Sequence, residues 1–253
     1  MNDDKSDVMG ASLVLVPDRS REVRAALKRS LTVVGVFGAV FGGLALYKRA
    51  TRVRLPEGVV SIVAPVIWPE TAEAILRILE PLGDDEVTLL LHTNGGCISS
   101  CIQIADALRK FRKSTAVVPY MALSGGTLIA LNAKTLYMGR NASLSAVDPI
   151  IGGRRGKNLP ESGKYATDRA TAKEYEAAIR TYLRSTLEAR LPGAGEAKIQ
   201  AAMDVFMGKD APHEWPIRPA EIGGLGIQVG VADSAWAKYV DSLRDQQDRQ
   251  LGY

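Results

Sequence analysis

Cysteine and histidine are both scarce in this chain, with two of each among 253 residues. Cys97 and Cys101 cannot build the framework of several disulfides that stabilises small secreted domains. Two histidines and two cysteines also make a poor set of zinc ligands. We therefore expect neither a metal ion nor a cofactor.

Most of the chain also lacks an excess of charge. The net charge of +4 arises at the N-terminus, where residues 1–54 carry 10 Lys/Arg and 5 Asp/Glu, whereas residues 55–253 carry 22 and 23. A nucleic-acid-binding domain would hold its surplus cations on a folded face. We expect no nucleic-acid partner.

One stretch has no charge at all. Residues 31–47 (LTVVGVFGAVFGGLALY) lie between Lys28-Arg29 and Lys48-Arg49. A helix of this length is about 25 Å long, at the short limit for a bilayer core of about 30 Å. No signal-peptide cleavage site follows, so the sequence predicts a permanent single-pass membrane anchor. Basic residues flank both ends, which leaves the orientation open.

The remaining chain alternates strand and helix patterns. Apolar runs at 59–63, 87–92 and 115–118 predict buried strands, and amphipathic segments separate them. This alternation predicts βαβ units, a parallel sheet and the α/β class. We divide the chain into a basic segment (1–30), the membrane span (31–47), a linker (48–58), one domain (59–232) and a polar helical tail (233–253).

Two further predictions concern the second half of the domain. Residues 152–163 (GGRRGKNLPESG) have no apolar period and predict a flexible surface loop. A long amphipathic helix should follow, with Ile179, Leu183 and Leu187 on one face and an end at Pro192.

Two glycine-rich turns follow predicted strands: Asn94-Gly95-Gly96 and Ser124-Gly125-Gly126. Ligands bind at the carboxyl edge of parallel strands, so the turns should be neighbours. Glycine N–H groups can face an acyl oxygen, and a serine at a strand-to-helix turn is exposed as a nucleophile. Each turn alone also fits a purely structural role, with Ser124 as a helix cap.

Three segments are more specific in combination: LHTNGGCISSCIQIADALRK, VPYMALSGGTLIALNAKTLYMG and NASLSAVDPIIGG. In order and spacing they resemble the Clp-protease/crotonase-fold serine peptidases, and most closely the serine dehydrogenase proteinase family, a relative of signal peptide peptidase A. The later APHEWPIRPAEIGGLGIQVG is similar to that family's His-acid-aromatic-Pro-Ile motif. The resemblance covers residues 59–232. It implies a Clp/crotonase-like fold, a homo-oligomer and a peptidase that acts on peptide or membrane-protein substrates.

The same resemblance implies roles for single residues. Ser124 would be the nucleophile, and the Gly125 N–H with a donor from Gly95 or Gly96 would form the oxyanion hole. Asp148 would either orient a catalytic partner or hold its own turn. A serine needs a base to act near neutral pH.

The identity of that base is open. The Clp-type histidine would fall at Pro149, so the usual Ser-His-Asp arrangement is excluded. The signal peptide peptidase branch uses a lysine in a stretch that GKYATDRATAKEYEAAIRTYLRSTLEAR resembles. Lys173 is preferred because it precedes the long helix, Lys164 is the second candidate and His213 the third. The predicted function is a membrane-anchored serine endopeptidase with a Ser-Lys dyad.

Two alternatives use the same fold. An inactive membrane scaffold that oligomerises and binds partner proteins is favoured by Asn94 and Gly126, which stand where relatives often have proline and alanine. An acyl-CoA hydratase or thioesterase would need a carboxylate in a glycine turn, and neither turn has one.

Overall fold

A computed structural model of the chain describes residues 12–13, 15–16, 33–34, 55–56 and 58–251. Of the predicted membrane span 31–47, only Val33–Val34 are described, and they form a short strand where the sequence predicts a helix. The other residues of the span, and most of the predicted basic segment and linker, lie outside the described residues. Within the described ranges, no helix combines the length and hydrophobicity that a bilayer crossing requires.

The described elements follow the predicted alternation. The strands are β1 (Ser12–Leu13), β2 (Leu15–Val16), β3 (Val33–Val34), β4 (Val59–Ala64), β5 (Glu86–Thr93), β6 (Lys113–Val118), β7 (Met121–Ala122), β8 (Thr135–Met138), β9 (Ser143–Leu144), β10 (Ile150–Ile151), β11 (Arg154–Arg155) and β12 (Gly230–Val231). The α-helices are α1 (Pro69–Leu79), α2 (Ile98–Lys110), α3 (Gly125–Asn132), α4 (Ala166–Arg190), α5 (Glu196–Phe206), α6 (Pro219–Gly224) and α7 (Ser234–Leu251).

The central sheet runs in the order β12-β8-β6-β5-β4, and these strands are parallel. The strands β1 and β2 add antiparallel to β4, and β3 adds antiparallel to β1. The α/β class and the parallel sheet predicted from the sequence are therefore confirmed.

Both faces of this sheet are covered, which explains its continuous apolar strands. Side chains alternate between faces along each strand. Val60 and Leu89 belong to the main core with α1, α2 and α3. Val59, Val63, Leu90 and Val117 face the other way and pack on Val240 and Leu243 of α7. The polar tail is thus a helix, as predicted, and its few apolar residues close the second face.

Two predictions about residues 152–173 were wrong. The predicted flexible loop begins with the turn and second strand of an antiparallel hairpin, β10–β11, in which Ile151 lies opposite Arg154. Gly152 and Gly153 connect its strands with φ of +54° and +75°, the pair of positive values that a tight hairpin turn needs. The long helix α4 begins at Ala166, so Lys173 lies inside it rather than before it.

A second, smaller layer of pairing lies beyond the end of β5. There β7 pairs with Thr93 at the end of β5 and with β9. On its other side β9 forms an antiparallel bridge through Leu144 to Ile217. These contacts gather the turns after β5, β7 and β9, together with residues 213–217, at one edge of the sheet.

Candidate active site

Ser124 occupies a strained turn between β7 and α3. Its φ is 51° and its ψ is −120°, and it is the one non-glycine residue in the described part of the chain with a positive φ. Such a conformation costs about 1–3 kcal/mol and persists only where surrounding contacts impose it. Here the Ser124 N–H donates to Ser145 Oγ at 2.8 Å, and its carbonyl accepts from Thr127 N–H at 2.9 Å. The residue is partly exposed at the N-terminus of α3.

The two glycine turns touch, as the topology predicts. A Cβ atom added to Gly95, whose φ is +99°, would lie 2.8 Å from Ser124 Cβ and 2.9 Å from Gly125 N. Any side chain at position 95 would therefore displace the serine turn. Gly96 is equally confined, because a Cβ there would overlap the backbone of Ile67.

The N–H groups of these glycines differ in what they bond. The Gly95 N–H donates to Thr93 Oγ1 at 3.1 Å and is already engaged. Those of Gly96 and Gly125 have no acceptor among the described residues. A Cβ on Gly125 would lie 3.7 Å from Gly96 N, so the two free groups are close neighbours. Of the alternatives left open by the sequence, Gly96 has the free donor and Gly95 shapes the turn.

Three buried hydroxyl side chains that sequence reasoning missed hold this arrangement together. Thr93 Oγ1 fixes Gly95, and Ser145 Oγ accepts from Ser124. Thr127 Oγ1 accepts from Ser145 N–H at 3.0 Å and lies 2.9 Å from the carbonyl oxygen of Ala122. Their only signal in the sequence is the presence of hydroxyl groups at the ends of apolar runs, beside the glycine turns.

The glycine at position 126 has a local explanation. A Cβ there would lie 2.6 Å from Thr93 Cγ2, closer than real side chains approach. An alanine at position 126 would therefore have to displace Thr93 or the helix, which gives a local packing reason for glycine there.

Asp148 is buried in a charged cluster. It accepts from Arg155 Nε at 2.6 Å and lies 2.9 Å from His213 Nδ1. Burial acts to raise the pKa of this carboxyl group, but the bonds to His213 and Arg155 outweigh it and hold the pKa below its ordinary value. Arg155 also donates to the carbonyl oxygens of Gly208 and Ala211. Asp148 thus links the β10–β11 hairpin to the segment before α6.

The two candidate lysines lie on the surface. Lys173 Nζ pairs with Glu161 Oε1 at 2.7 Å, and the lysine side chain is 53% exposed. Lys164 is exposed, with its ammonium 4.8 Å from the centre of the Tyr165 ring. Neither forms a hydrogen bond with Ser124 among the described contacts. The structure therefore brings Ser124 together with Gly95, Gly96 and Gly125 but not with either lysine.

The cysteines flank the same turns. Cys101 is buried, and a Cβ on Gly125 would overlap its sulfur. Burial raises the pKa of Cys101 to about 12, so its thiol stays protonated and inert. Within the described ranges no group of three or more His, Cys, Asp or Glu side chains is arranged to hold a metal ion.

The parallel α/β sheet, with a strained serine beside two free N–H groups at one edge, is similar to the fold of the Clp proteases. Residues 59–166 match the family of ClpP-like SDH-type serine proteinases, in agreement with the family that the sequence resembles.

The chain is also similar to two curated proteins and to one solved structure. The chain is 32% identical over 172 residues to the uncharacterized protein MJ0137 of Methanocaldococcus jannaschii, and 30% identical over 175 residues to MJ1495 of the same organism. Each match covers 63% of this chain but only 59% and 58% of the relatives, so the chain spans less than two thirds of their length. A ClpP1 variant from Listeria monocytogenes has a similar fold, with a TM-score of 0.50, 16% identity, and coverage of 74% of this chain and 94% of that one.

Proposed function

We propose that this protein is a serine peptidase that cleaves peptides through an acyl-enzyme on Ser124. The observation that carries the proposal is the strained φ of 51° at a partly exposed serine, whose N–H donates to Ser145 Oγ and whose carbonyl oxygen accepts from the Thr127 N–H. Strain of this kind is retained where it positions a reacting group. Ser124 Oγ would attack the scissile carbonyl carbon, the amine would leave with a proton, and water would hydrolyse the resulting ester.

The oxyanion of the tetrahedral intermediate would bind the Gly96 and Gly125 N–H groups. Both are free among the described residues, and they adjoin Ser124. The loss of one such donor costs about 10²- to 10³-fold in rate. The crowding around Gly95 and Gly96 is consistent with a site in which the backbone itself must approach the substrate.

Lys173 is our first candidate for the base, on the family resemblance. Its salt bridge to Glu161 is exposed on both sides, and exposed pairs contribute little to stability, so releasing the ammonium costs little. To act as a base it must lose its proton, which requires that bound substrate or a second subunit cover it. Lys164 and His213 are the competing candidates.

Three variants separate these candidates. Lys173→Gln should abolish turnover of an unstructured peptide, whereas Lys164→Gln should leave it near the wild-type rate. His213→Asn should then change stability more than the pH dependence of kcat/KM. Loss of turnover in Lys164→Gln alone would transfer the role to Lys164. Loss of the acidic limb of the pH profile of kcat/KM in His213→Asn alone would transfer it to His213.

We further propose that residues 31–47 anchor the protein to a membrane and that it works as a homo-oligomer. The anchor rests on the uncharged stretch and its basic flanks, and the oligomer on the family resemblance. An anchored site meets membrane-associated and unfolded segments first, so these are the proposed substrates.

A fluorophosphonate probe tests the nucleophile. The wild-type protein should be labelled, Ser124→Ala should not, and the matched control Ser162→Ala, which alters an exposed loop serine, should be labelled like wild type. Labelling that persists in Ser124→Ala would refute the assignment. Stable oligomers with no labelling of wild type would favour the scaffold instead.

A further inference from the structure

A cavity of about 1090 Å³ lies at the carboxyl end of α3, the end remote from Ser124. The ends of α2 and α4, the start of β8 and the segment 226–230 surround it. The cavity shares no lining residue with the serine site, so its occupancy does not depend on the proposed peptidase activity.

The charges on the cavity wall have one sign. Four basic residues line it, Arg109, Lys134, Arg190 and Lys198, and none of its lining residues is Asp or Glu. None of the four takes part in an ion pair with any residue in the described ranges. Like charges gathered without counter-ions raise the local concentration of anions.

Arg190 is the least satisfied of these groups. Its Nη1 donates to the carbonyl oxygen of Lys134 at 2.8 Å. Its Nε and Nη2 atoms are buried and have no hydrogen-bond partner. Burial lowers the pKa of this guanidinium, with no carboxylate beside it to compensate. Buried charges in proteins are ordinarily paired, so this edge of Arg190 lacks the partner that its chemistry requires.

The neighbouring cations approach the same space. Lys198 comes from α5, and its ammonium lies in the space that a Cβ atom at position 226 would fill. Gly226 has a φ of +90°. Arg109 reaches in from the end of α2 and donates to Thr186 Oγ1 at 2.7 Å.

Apolar and aromatic side chains also line the wall. Leu131, Leu136 and Val229 line it, and the ring of Tyr137 is 40% exposed. A ligand that used the whole cavity would therefore combine several negative charges with an organic part.

We propose that this cavity is a binding site for an organic phosphate. Arginine guanidinium groups bind phosphate oxygens through paired N–H groups, and lysine ammonium groups bind phosphate as point charges. A single carboxylate would neutralise only one of the four cations. A multiply charged phosphate neutralises several, while its organic part packs on Leu131, Leu136 and Tyr137.

Calorimetric titration of the full chain tests this, with ATP, inorganic pyrophosphate and adenosine as probes. ATP should bind, pyrophosphate should bind more weakly, and adenosine should give no measurable heat. Affinity for ATP should fall with added salt because the contacts are ionic. No binding of ATP, or equal affinity for ATP and pyrophosphate, would overturn the proposal of an organic phosphate.

Charge-removing variants locate the site. Lys198→Gln should weaken ATP binding about tenfold, the size expected for one charge-assisted contact. Lys238→Gln removes an exposed charge on α7, away from the cavity, and should bind like wild type. Arg190→Gln should have a larger effect than Lys198→Gln. If it fails to fold, Lys198→Gln decides, since its side chain is exposed. Equal affinities of Lys198→Gln and Lys238→Gln would overturn the assignment.

Discussion

The contact between Gly126 and Thr93 allows a quantitative test of the nucleophile turn. In Gly126→Ala the new methyl group would lie 2.6 Å from Thr93 Cγ2. Forcing an extra methyl group into a packed site costs about 1–3 kcal/mol. Glycine to alanine in a helix returns at most about 1 kcal/mol through helix propensity, so the clash should win. We expect Gly126→Ala to lower the free energy of unfolding by about 1–2 kcal/mol.

A second substitution identifies the cause. Thr93→Ser removes the clashing methyl group and keeps the hydroxyl that bonds the Gly95 N–H. In that background the alanine at position 126 should be neutral or stabilising, with a coupling of about 1–2 kcal/mol between the two sites. The matched control is Gly223→Ala in α6, where an added Cβ meets nothing within 4 Å.

Urea unfolding of the wild type, the three single variants and the double variant measures the change in the free energy of unfolding for each substitution and the coupling between positions 93 and 126. An equal cost of Gly126→Ala in both backgrounds would contradict the contact. So would a Gly126→Ala variant as stable as wild type.

Three further predictions concern residues at this edge of the sheet. Ser145→Ala removes the acceptor of the Ser124 N–H, so the rate of fluorophosphonate labelling should fall at least about tenfold while the protein stays folded; an unchanged rate would show that the bond does not hold the nucleophile. Burial acts to raise the pKa of Asp148, but the bonds from His213 and Arg155 outweigh it and lower the pKa in the folded protein. The ionised carboxylate therefore stabilises the fold fully above the ordinary pKa of 3.8, and this stabilisation is lost as pH falls through the lower pKa of the folded state. The stability deficit of Asp148→Asn, from urea midpoints, should therefore shrink below that pH; a constant deficit would contradict this. Burial lowers the pKa of His92 from 6.5 to about 4, so in this pH range the unfolded chain binds a proton that the folded chain does not. The free energy of unfolding should therefore fall as pH drops from 6.5 to about 4, and it should fall less steeply in His92→Gln. Parallel pH profiles of the two proteins would refute it.

The long elements of the fold could be predicted because their patterns are strong. The strand β4 is buried throughout, and its five apolar residues, broken by Ser61 alone, predict a doubly covered strand. The strands β7 and β9 have two residues each and depend on pairing with each other and with Thr93. No local pattern marks such strands, because tertiary contacts alone stabilise them.

The sequence around the hairpin at 150–155 fits both a hairpin and a loop. Gly152-Gly153 between two pairs of residues fits a two-residue hairpin turn, but the following glycines and charges favour a loop. The start of α4 was unpredictable for a different reason. The first turns of α4 are polar, so the apolar periodicity that marks a helix begins only further along the chain. The sequence pattern therefore predicts a helix that starts after Lys173.

Part of the candidate site could likewise be predicted from the sequence, and part could not. Glycine turns after two parallel strands predict that Gly95 and Ser124 are neighbours, because topology alone brings them together. The choice between Gly95 and Gly96 as donor depends on one hydroxyl, Thr93 Oγ1, whose direction no sequence pattern reveals. The surroundings of Lys173 likewise depend on Glu161, a contact between a loop and a helix.

The most direct measurement is the site of covalent attachment itself. After the wild-type protein reacts with the fluorophosphonate, peptide mass spectrometry should find one added phosphonyl group, on the peptide that contains Ser124, and fragmentation should place it on that residue. An adduct on any other residue, or a fully folded protein that acquires none, would contradict a nucleophilic Ser124.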